Sequence, residues 1–137
     1  MKFRIYFYTM IRVLFGTYLV AYGAYNVFRY PVFLDRLEKY FTYTSVFDLG
    51  IVELLAPLVP FETFIIGLFI AMGIFTRKIL IASICLFAFL TVFLLDANAD
   101  QLALVHFLFL IISVILLAKD NYNLNSVDYS RDSYMLL

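Results

Sequence analysis

The order of apolar and polar positions divides the chain into four long apolar runs that are separated by polar stretches. The first run covers residues 5–28 and is interrupted by Arg12, and the others cover about residues 61–75, 79–95 and 102–118. A helix needs about 20 mostly apolar residues to cross a bilayer, with a range of about 17–25. The pattern therefore predicts four membrane-spanning helices, and the boundaries of the three shorter ones are soft.

The segment of residues 29–59, between the first and second runs, is mixed in character. Pro31 suits the first turn of a short helix, where its missing N–H costs nothing. Apolar residues then recur at helical spacing between charged ones: Phe33, Leu34, Leu37, Tyr40 and Phe41. This spacing is typical of an amphipathic helix at the membrane surface, and an exposed loop is an equally good interpretation.

The remaining connections are short, and nothing in the chain resembles a repeat or a linker. The stretch 46–58 is mostly apolar, so it either dips into the interface or extends the second spanning helix backwards. Only residues 76–78 separate the second and third runs, so these two helices are expected to be antiparallel neighbours. The tail 119–137 is largely polar. We predict a single membrane domain over residues 1–137.

Composition supports the membrane assignment. Of the 137 residues, 65% are apolar and 15% are charged, and the mean hydropathy is +0.97. Soluble domains average about 45–50% apolar and about 25% charged residues, and a chain this short cannot bury so large an apolar surplus. The predicted fold is an all-α polytopic membrane protein, a four-helix bundle in the lipid bilayer with a short amphipathic segment between helices one and two.

Charge excludes some partners and sets a prediction for orientation. The formal net charge is zero, so no nucleic-acid partner is expected. The basic residues before the first run, between the second and third runs and after the fourth run would lie on one side of the membrane: Lys2, Arg4, Arg77, Lys78, Lys119 and Arg131. Fewer would lie on the other side: Arg29, Arg36 and Lys39. The positive-inside rule predicts both termini in the cytoplasm, and we expect a bacterial inner membrane.

Arg12 is the one charged residue well inside an apolar run. It shares a helical face with Gly16, Leu19, Gly23 and Asn26, and this small, polar face is expected to point into the bundle. Two interpretations of Arg12 remain open at this point. Its side chain either snorkels to the head groups or is buried against a partner.

Three further polar residues fall on three different helices at a similar estimated depth: Asn26, Glu62 and His106. Each is expected to face inward, because an unsatisfied polar group in hydrocarbon costs several kcal/mol, on the order of a lost hydrogen bond or more. They are candidates for a polar cluster that either binds a ligand or is structural. Glu62 would also be stabilised by the free amides at a helix N-terminus.

Metal, nucleophilic and dithiol chemistry are not supported by the residue types. A single histidine and a single cysteine, Cys85, cannot complete a metal site, so no metal is expected. One cysteine also excludes an internal disulfide and a dithiol exchange mechanism. Cys85 lies between Ile84 and Leu86 and is predicted to be a small buried apolar residue.

The spacing of a few residues suggests a family. The series Arg12, Gly16 and Gly23, followed after the mixed segment by Glu62, Gly67, Gly73 and Arg77, resembles the DoxX-like membrane proteins. The resemblance covers roughly residues 12–95. It implies a four-helix membrane protein of a kind often described as an accessory subunit linked to quinol oxidation or thiol stress.

Two functions follow as hypotheses. The first is a non-enzymatic accessory or scaffold subunit of a larger membrane complex, with other membrane protein subunits as partners and no cofactor. The second is a redox-linked protein that binds a quinone or a similar apolar ligand between its helices, where Glu62, His106 and Asn26 would supply hydrogen bonds.

Overall fold

The computed structural model describes residues 2–45, 50–124 and 126–130, and all regular structure in these ranges is helical. Six α-helices follow one another: α1 Lys2–Phe28, α2 Tyr30–Tyr43, α3 Gly50–Leu55, α4 Val59–Met72, α5 Thr76–Asp96 and α6 Asp100–Ala118. Two single 3₁₀ turns lie at Ala56–Leu58 and Asp120–Tyr122. The prediction of an all-α fold is confirmed.

Four helical segments are long and apolar enough to cross a membrane: α1, the segment Gly50–Met72, α5 and α6. The predicted four-helix membrane bundle is therefore confirmed. The second span differs most from its predicted boundaries, since it includes α3 as well as α4 and ends at Met72. The apolar stretch before Pro60 thus extends this helix backwards, while residues 46–49 lie outside the described ranges.

Two prolines explain why the second span is not one regular helix. Pro57 lies within the 3₁₀ turn that joins α3 to α4, and Pro60 lies in the first turn of α4. Proline removes a backbone donor and clashes with the preceding turn in a helix interior, whereas it is tolerated in a first turn. The chain therefore restarts its helix at Val59 rather than continuing α3 unchanged.

The segment between the first two spans is a helix rather than a loop. Arg29 has a non-helical backbone, with φ −110° and ψ 42°, and α2 restarts at Tyr30 with Pro31 in its second position. Leu37 is the buried residue of α2, and the other positions are half-buried or exposed. This is the amphipathic segment that the spacing predicted.

The bundle consists of two closely packed helix pairs, α1 with α4 and α5 with α6. The α1–α4 pair is antiparallel and depends on glycine: a Cβ on Gly67 would lie 2.7 Å from the Gly16 carbonyl oxygen, and one on Gly23 would lie 2.7 Å from the Phe64 backbone nitrogen. Small residues allow such backbone approach between membrane helices. In the other pair, the hydroxyls of Ser83 and Ser113 are 2.7 Å apart and share a hydrogen bond.

The two ends of the bundle differ, and each is named here by its main feature. The cavity end contains α2, α3 and the turn between α5 and α6; the tail end contains the turn between α4 and α5 together with residues 119–124 and 126–130. At the tail end Gly73 closes α4 in the left-handed conformation, with φ +73°. Asp128 caps the start of α5, because its carboxylate accepts hydrogen bonds of 2.7 Å from the backbone N–H groups of Phe75 and Thr76.

The interior is apolar apart from a few hydrogen-bonded groups. The main core cluster is centred on Leu19, Ile70, Leu80 and Phe87. Cys85 is not part of it: this side chain is exposed on α5, so the prediction that it is buried was wrong. Lipid-facing and core-facing positions of a spanning helix are similarly apolar, and hydropathy around a small residue cannot tell them apart.

Candidate functional site

A cavity of about 400 Å³ lies between the helices at the cavity end of the bundle. This volume falls within the range of about 300–1,000 Å³ that is usual for small-molecule sites. Its walls are mostly apolar and come from α2, α3, α4, α5 and α6: Phe33, Leu37, Ile51, Val52, Leu55, Ala56, Val59, Pro60, Leu86, Phe89, Leu90, Phe93, Leu94 and Leu102. The polar lining residues are Tyr22, Asn26, Arg36, Tyr40, Glu62, Thr63 and His106.

The shape of the chain explains why a cavity forms here. The glycine contacts hold α1 close to α4, whereas α2 and α3 lie across the opening between the two helix pairs. Tyr30 fixes part of this arrangement, because its hydroxyl donates a 2.9 Å hydrogen bond to the carbonyl of Pro57. The cavity is thus lined by elements from every part of the described chain before the tail.

Asn26 connects α1 to α2 at the edge of the cavity. It is 4% exposed, and its Oδ1 accepts a 2.9 Å hydrogen bond from Nη2 of Arg36. Its amide nitrogen donates to the carbonyl of Tyr22, one turn earlier, at 3.2 Å. The expectation that Asn26 faces inward and finds a partner is met.

Arg36 was not singled out by sequence reasoning, although it lines the cavity and donates a hydrogen bond of 2.9 Å to Asn26. It is half-buried, and its Nε is fully buried without a hydrogen-bond acceptor in the part of the chain that the structure describes. The sequence carries no signal for this contact, because Arg36 follows Asn26 by ten positions across a helix break. Only the turn of the chain at Arg29 brings the two together.

His106 is also buried, at 5% exposure, and its surroundings are aromatic. Its Nδ1 lies 2.9 Å from the carbonyl oxygen of Leu102, and because a carbonyl only accepts, Nδ1 is the donor. The rings of Tyr22, Phe87 and Phe109 lie 6.0, 6.1 and 5.5 Å from the imidazole centroid. In the neutral ring Nε2 is then left as a hydrogen-bond acceptor.

Glu62 differs from the other two members of the predicted cluster. It lines the same cavity, but the residue is exposed, whereas Asn26 and His106 are buried. It lies in the first turn of α4, and a carboxylate near the end of a bundle can remain solvated instead of requiring a protein partner. The cavity therefore brings Asn26, His106 and Glu62 together, while the hydrogen bonds of the described residues do not join them to one another.

Arg12 lies outside this site, at the tail end. It is 2% exposed, and its Nη1 donates hydrogen bonds of 2.9 and 3.2 Å to the carbonyls of Ile70 and Ala71. These are terminal carbonyls of α4, where the helix dipole also favours a cation. Asp128 attracts the same guanidinium. Of the two open interpretations, the structure supports the buried Arg12 with partners, and its role there is to hold α1, α4 and the tail together.

The comparisons with known proteins leave the site to be judged on its own chemistry. No known protein family, curated protein or solved structure matches this chain. Among the described residues, no group of three or more histidine, cysteine, aspartate or glutamate side chains is placed to hold a metal ion. The fold and the cavity together define a class: an all-α protein with four membrane-spanning helices and a mostly apolar cavity between them.

Proposed function

We propose that this protein binds a mostly apolar molecule with one polar end in the cavity between its helices. The observation that carries the proposal is the cavity itself, which combines apolar walls with a few convergent polar groups, as small-molecule sites usually do. A quinone or a lipid of similar size has this character. Asn26 and His106 would contact the polar end of such a ligand.

His106 and Tyr22 suit this role because they offer hydrogen bonds without a fixed charge. The acceptor Nε2 of His106 and the phenol of Tyr22, whose ring packs against the imidazole, both belong to residues of the cavity wall. Groups of this kind recognise a carbonyl or hydroxyl at the end of an apolar molecule. No catalytic step is included in the proposal.

The family, the membrane and the orientation of the protein are part of the same proposal. We infer a DoxX-like protein of a bacterial inner membrane with both termini in the cytoplasm, supported by the glycine and arginine spacing and by the distribution of basic residues. A binding protein of this size is suited to serve as an accessory subunit that holds an apolar molecule for other membrane protein subunits.

Identification of bound compounds provides the test. The protein is purified in a mild detergent, extracted with organic solvent and analysed by mass spectrometry. Ala56→Phe places a ring in the cavity wall, whereas Ala82→Phe makes the same change at an exposed position of α5 that does not line the cavity. We expect an apolar compound near one molecule per protein, retained in Ala82→Phe and lost in Ala56→Phe. Equal amounts in both variants, or no enriched compound in the wild type, would contradict the proposal.

A further inference from the structure

The polar end of the cavity carries a positive charge whose environment points to one kind of ligand. Arg36 lines the cavity beside Asn26, and its described contacts provide only one neutral acceptor, the Oδ1 of Asn26 at 2.9 Å. Resting on the proposed function, we infer that the ligand is a single-chain amphiphile with a carboxylate head group, and that Arg36 recognises this head group.

Within the described ranges, Arg36 has no acidic residue that balances its charge. No carboxylate of the described residues lies within 4.0 Å of the Arg36 guanidinium, and its buried Nε has no acceptor among them. Among the residues that the structure describes, Glu62 is the one acidic residue of the cavity wall, and its exposed side chain makes no ion pair with Arg36. A cation removed from water is costly unless an anion or several acceptors compensate it.

The shape of the guanidinium also favours a carboxylate ligand. A guanidinium has five N–H donors in a planar fork that matches a carboxylate in a two-point contact. One donor of Arg36 is used by Asn26, which also fixes the direction of the fork, and Asn26 is itself held by Tyr22. Arg36 is therefore positioned by α1 while it still has donors for a ligand.

The size of the cavity also restricts the ligand. Its volume of about 400 Å³ lies near the lower end of the range of about 300–1,000 Å³ that small-molecule sites cover. That is enough for one alkyl chain of moderate length and too little for the paired chains of a phospholipid. The apolar walls formed by Leu90, Phe93 and Leu94 suit such a chain.

The position of Arg36 in the fold suits a charged head group. Arg36 lies on α2, the amphipathic helix between the first two spans, and not within a spanning helix. Charged head groups stay near the membrane surface while their chains extend into the hydrocarbon. A carboxylate at Arg36 with its chain among α4, α5 and α6 satisfies both requirements.

The experiment compares two probes with the same number of carbon atoms, dodecanoate with a carboxylate head group and dodecan-1-ol with a neutral hydroxyl, at pH 8. The protein is placed in nanodiscs of neutral phosphatidylcholine, and nanodiscs without protein give the partitioning background. We expect dodecanoate to bind at least about tenfold more tightly than the alcohol, because a charge-assisted contact is about twice as strong as a neutral one. In Arg36→Gln this difference should disappear, and Arg36→Lys should keep part of it.

Arg29→Gln is the matched control. Arg29 lies at the same end of the bundle, is exposed, does not line the cavity, and donates to the hydroxyl of Tyr25 at 2.8 Å. Its loss should leave the preference for dodecanoate unchanged. An equal effect of Arg29→Gln and Arg36→Gln would show a general surface charge effect and would overturn the inference.

The outcomes separate this inference from the proposed function. Equal binding of acid and alcohol by the wild type, with both lost in Ala56→Phe, overturns recognition by Arg36 and leaves the cavity as a binding site. If neither probe nor a short-chain ubiquinone binds above background, both are wrong. Where Arg36→Gln does not accumulate, the wild type is compared with Arg36→Lys and Arg29→Gln, and a preference for dodecanoate that only Arg36→Lys reduces supports the inference.

Discussion

Close packing of α1 against α4 predicts that Gly67→Ala destabilises the protein. The new Cβ would lie 2.7 Å from the Gly16 carbonyl oxygen and 2.7 Å from the Val20 backbone nitrogen, whereas ordinary contacts begin at 3.4 Å. Backbone atoms of a helix cannot rotate away, so the helices must separate by about 0.7 Å near this point. A gap of this order forfeits about a quarter to a half of each dispersion contact.

The expected size of the effect follows from overpacking, which costs about 1–3 kcal/mol. Alanine is a better helix former than glycine by up to about 1 kcal/mol, and this gain must be removed by a control. Gly50→Ala serves that purpose, because Gly50 begins α3 and a Cβ there would meet no atom within 4 Å.

Thermal unfolding in detergent, followed by the helical circular dichroism signal, measures the difference. At about 4 °C per kcal/mol for a chain of this size, Gly67→Ala should melt about 4–12 °C below Gly50→Ala. Identical melting temperatures for the two variants would refute the close α1–α4 contact.

Two other predictions concern the tail end and the orientation of the chain. Asp128→Ala removes the acceptor of two backbone N–H groups at the start of α5 and should destabilise the protein by about 0.5–2 kcal/mol. The control Asp120→Ala breaks a surface ion pair of 3.5 Å with Arg77 and should cost at most about 1 kcal/mol. Equal melting temperatures of the two variants would contradict the capping role of Asp128. The orientation is tested by cysteine labelling in a Cys85→Ala background, which we expect to fold normally. Gln101→Cys should react with an impermeant maleimide from outside the cell, whereas Asn121→Cys should react only after permeabilisation. The reverse pattern would show that the positive-inside rule fails for this protein.

Hydropathy was sufficient to predict the spanning helices, because a long apolar segment in lipid must satisfy its own backbone hydrogen bonds and therefore forms a helix. The residues at which these helices begin and end were harder to predict. The second span begins near Gly50 and not at residue 61, since prolines that mark a helix start in isolation can instead sit in a 3₁₀ turn between two helical pieces. Such a turn depends on its neighbours, such as the contact from Tyr30 to Pro57.

Only part of the candidate site could be predicted. Asn26 and His106 were found because polar residues in apolar helices are few, and burial bears out that they face inward. Arg36 was missed because a charged residue in an amphipathic helix is expected to face water, and only the fold brings it to Asn26. The contact of Asp128 with the start of α5 was missed for a similar reason, since it spans more than fifty residues of sequence.

The partners of Arg12 have a consequence for how the chain enters the membrane during synthesis. The carbonyls that accept its hydrogen bonds lie 58 and 59 residues further along the chain, and Asp128 is made later still. Until α4 has been translated, the first span carries a charge that costs at most about 2.5–3.5 kcal/mol, which is the cost at the middle of a bilayer. It is also the least apolar of the four spans. The nascent α1 is therefore expected to remain beside the insertion machinery and to move fully into lipid only together with α4.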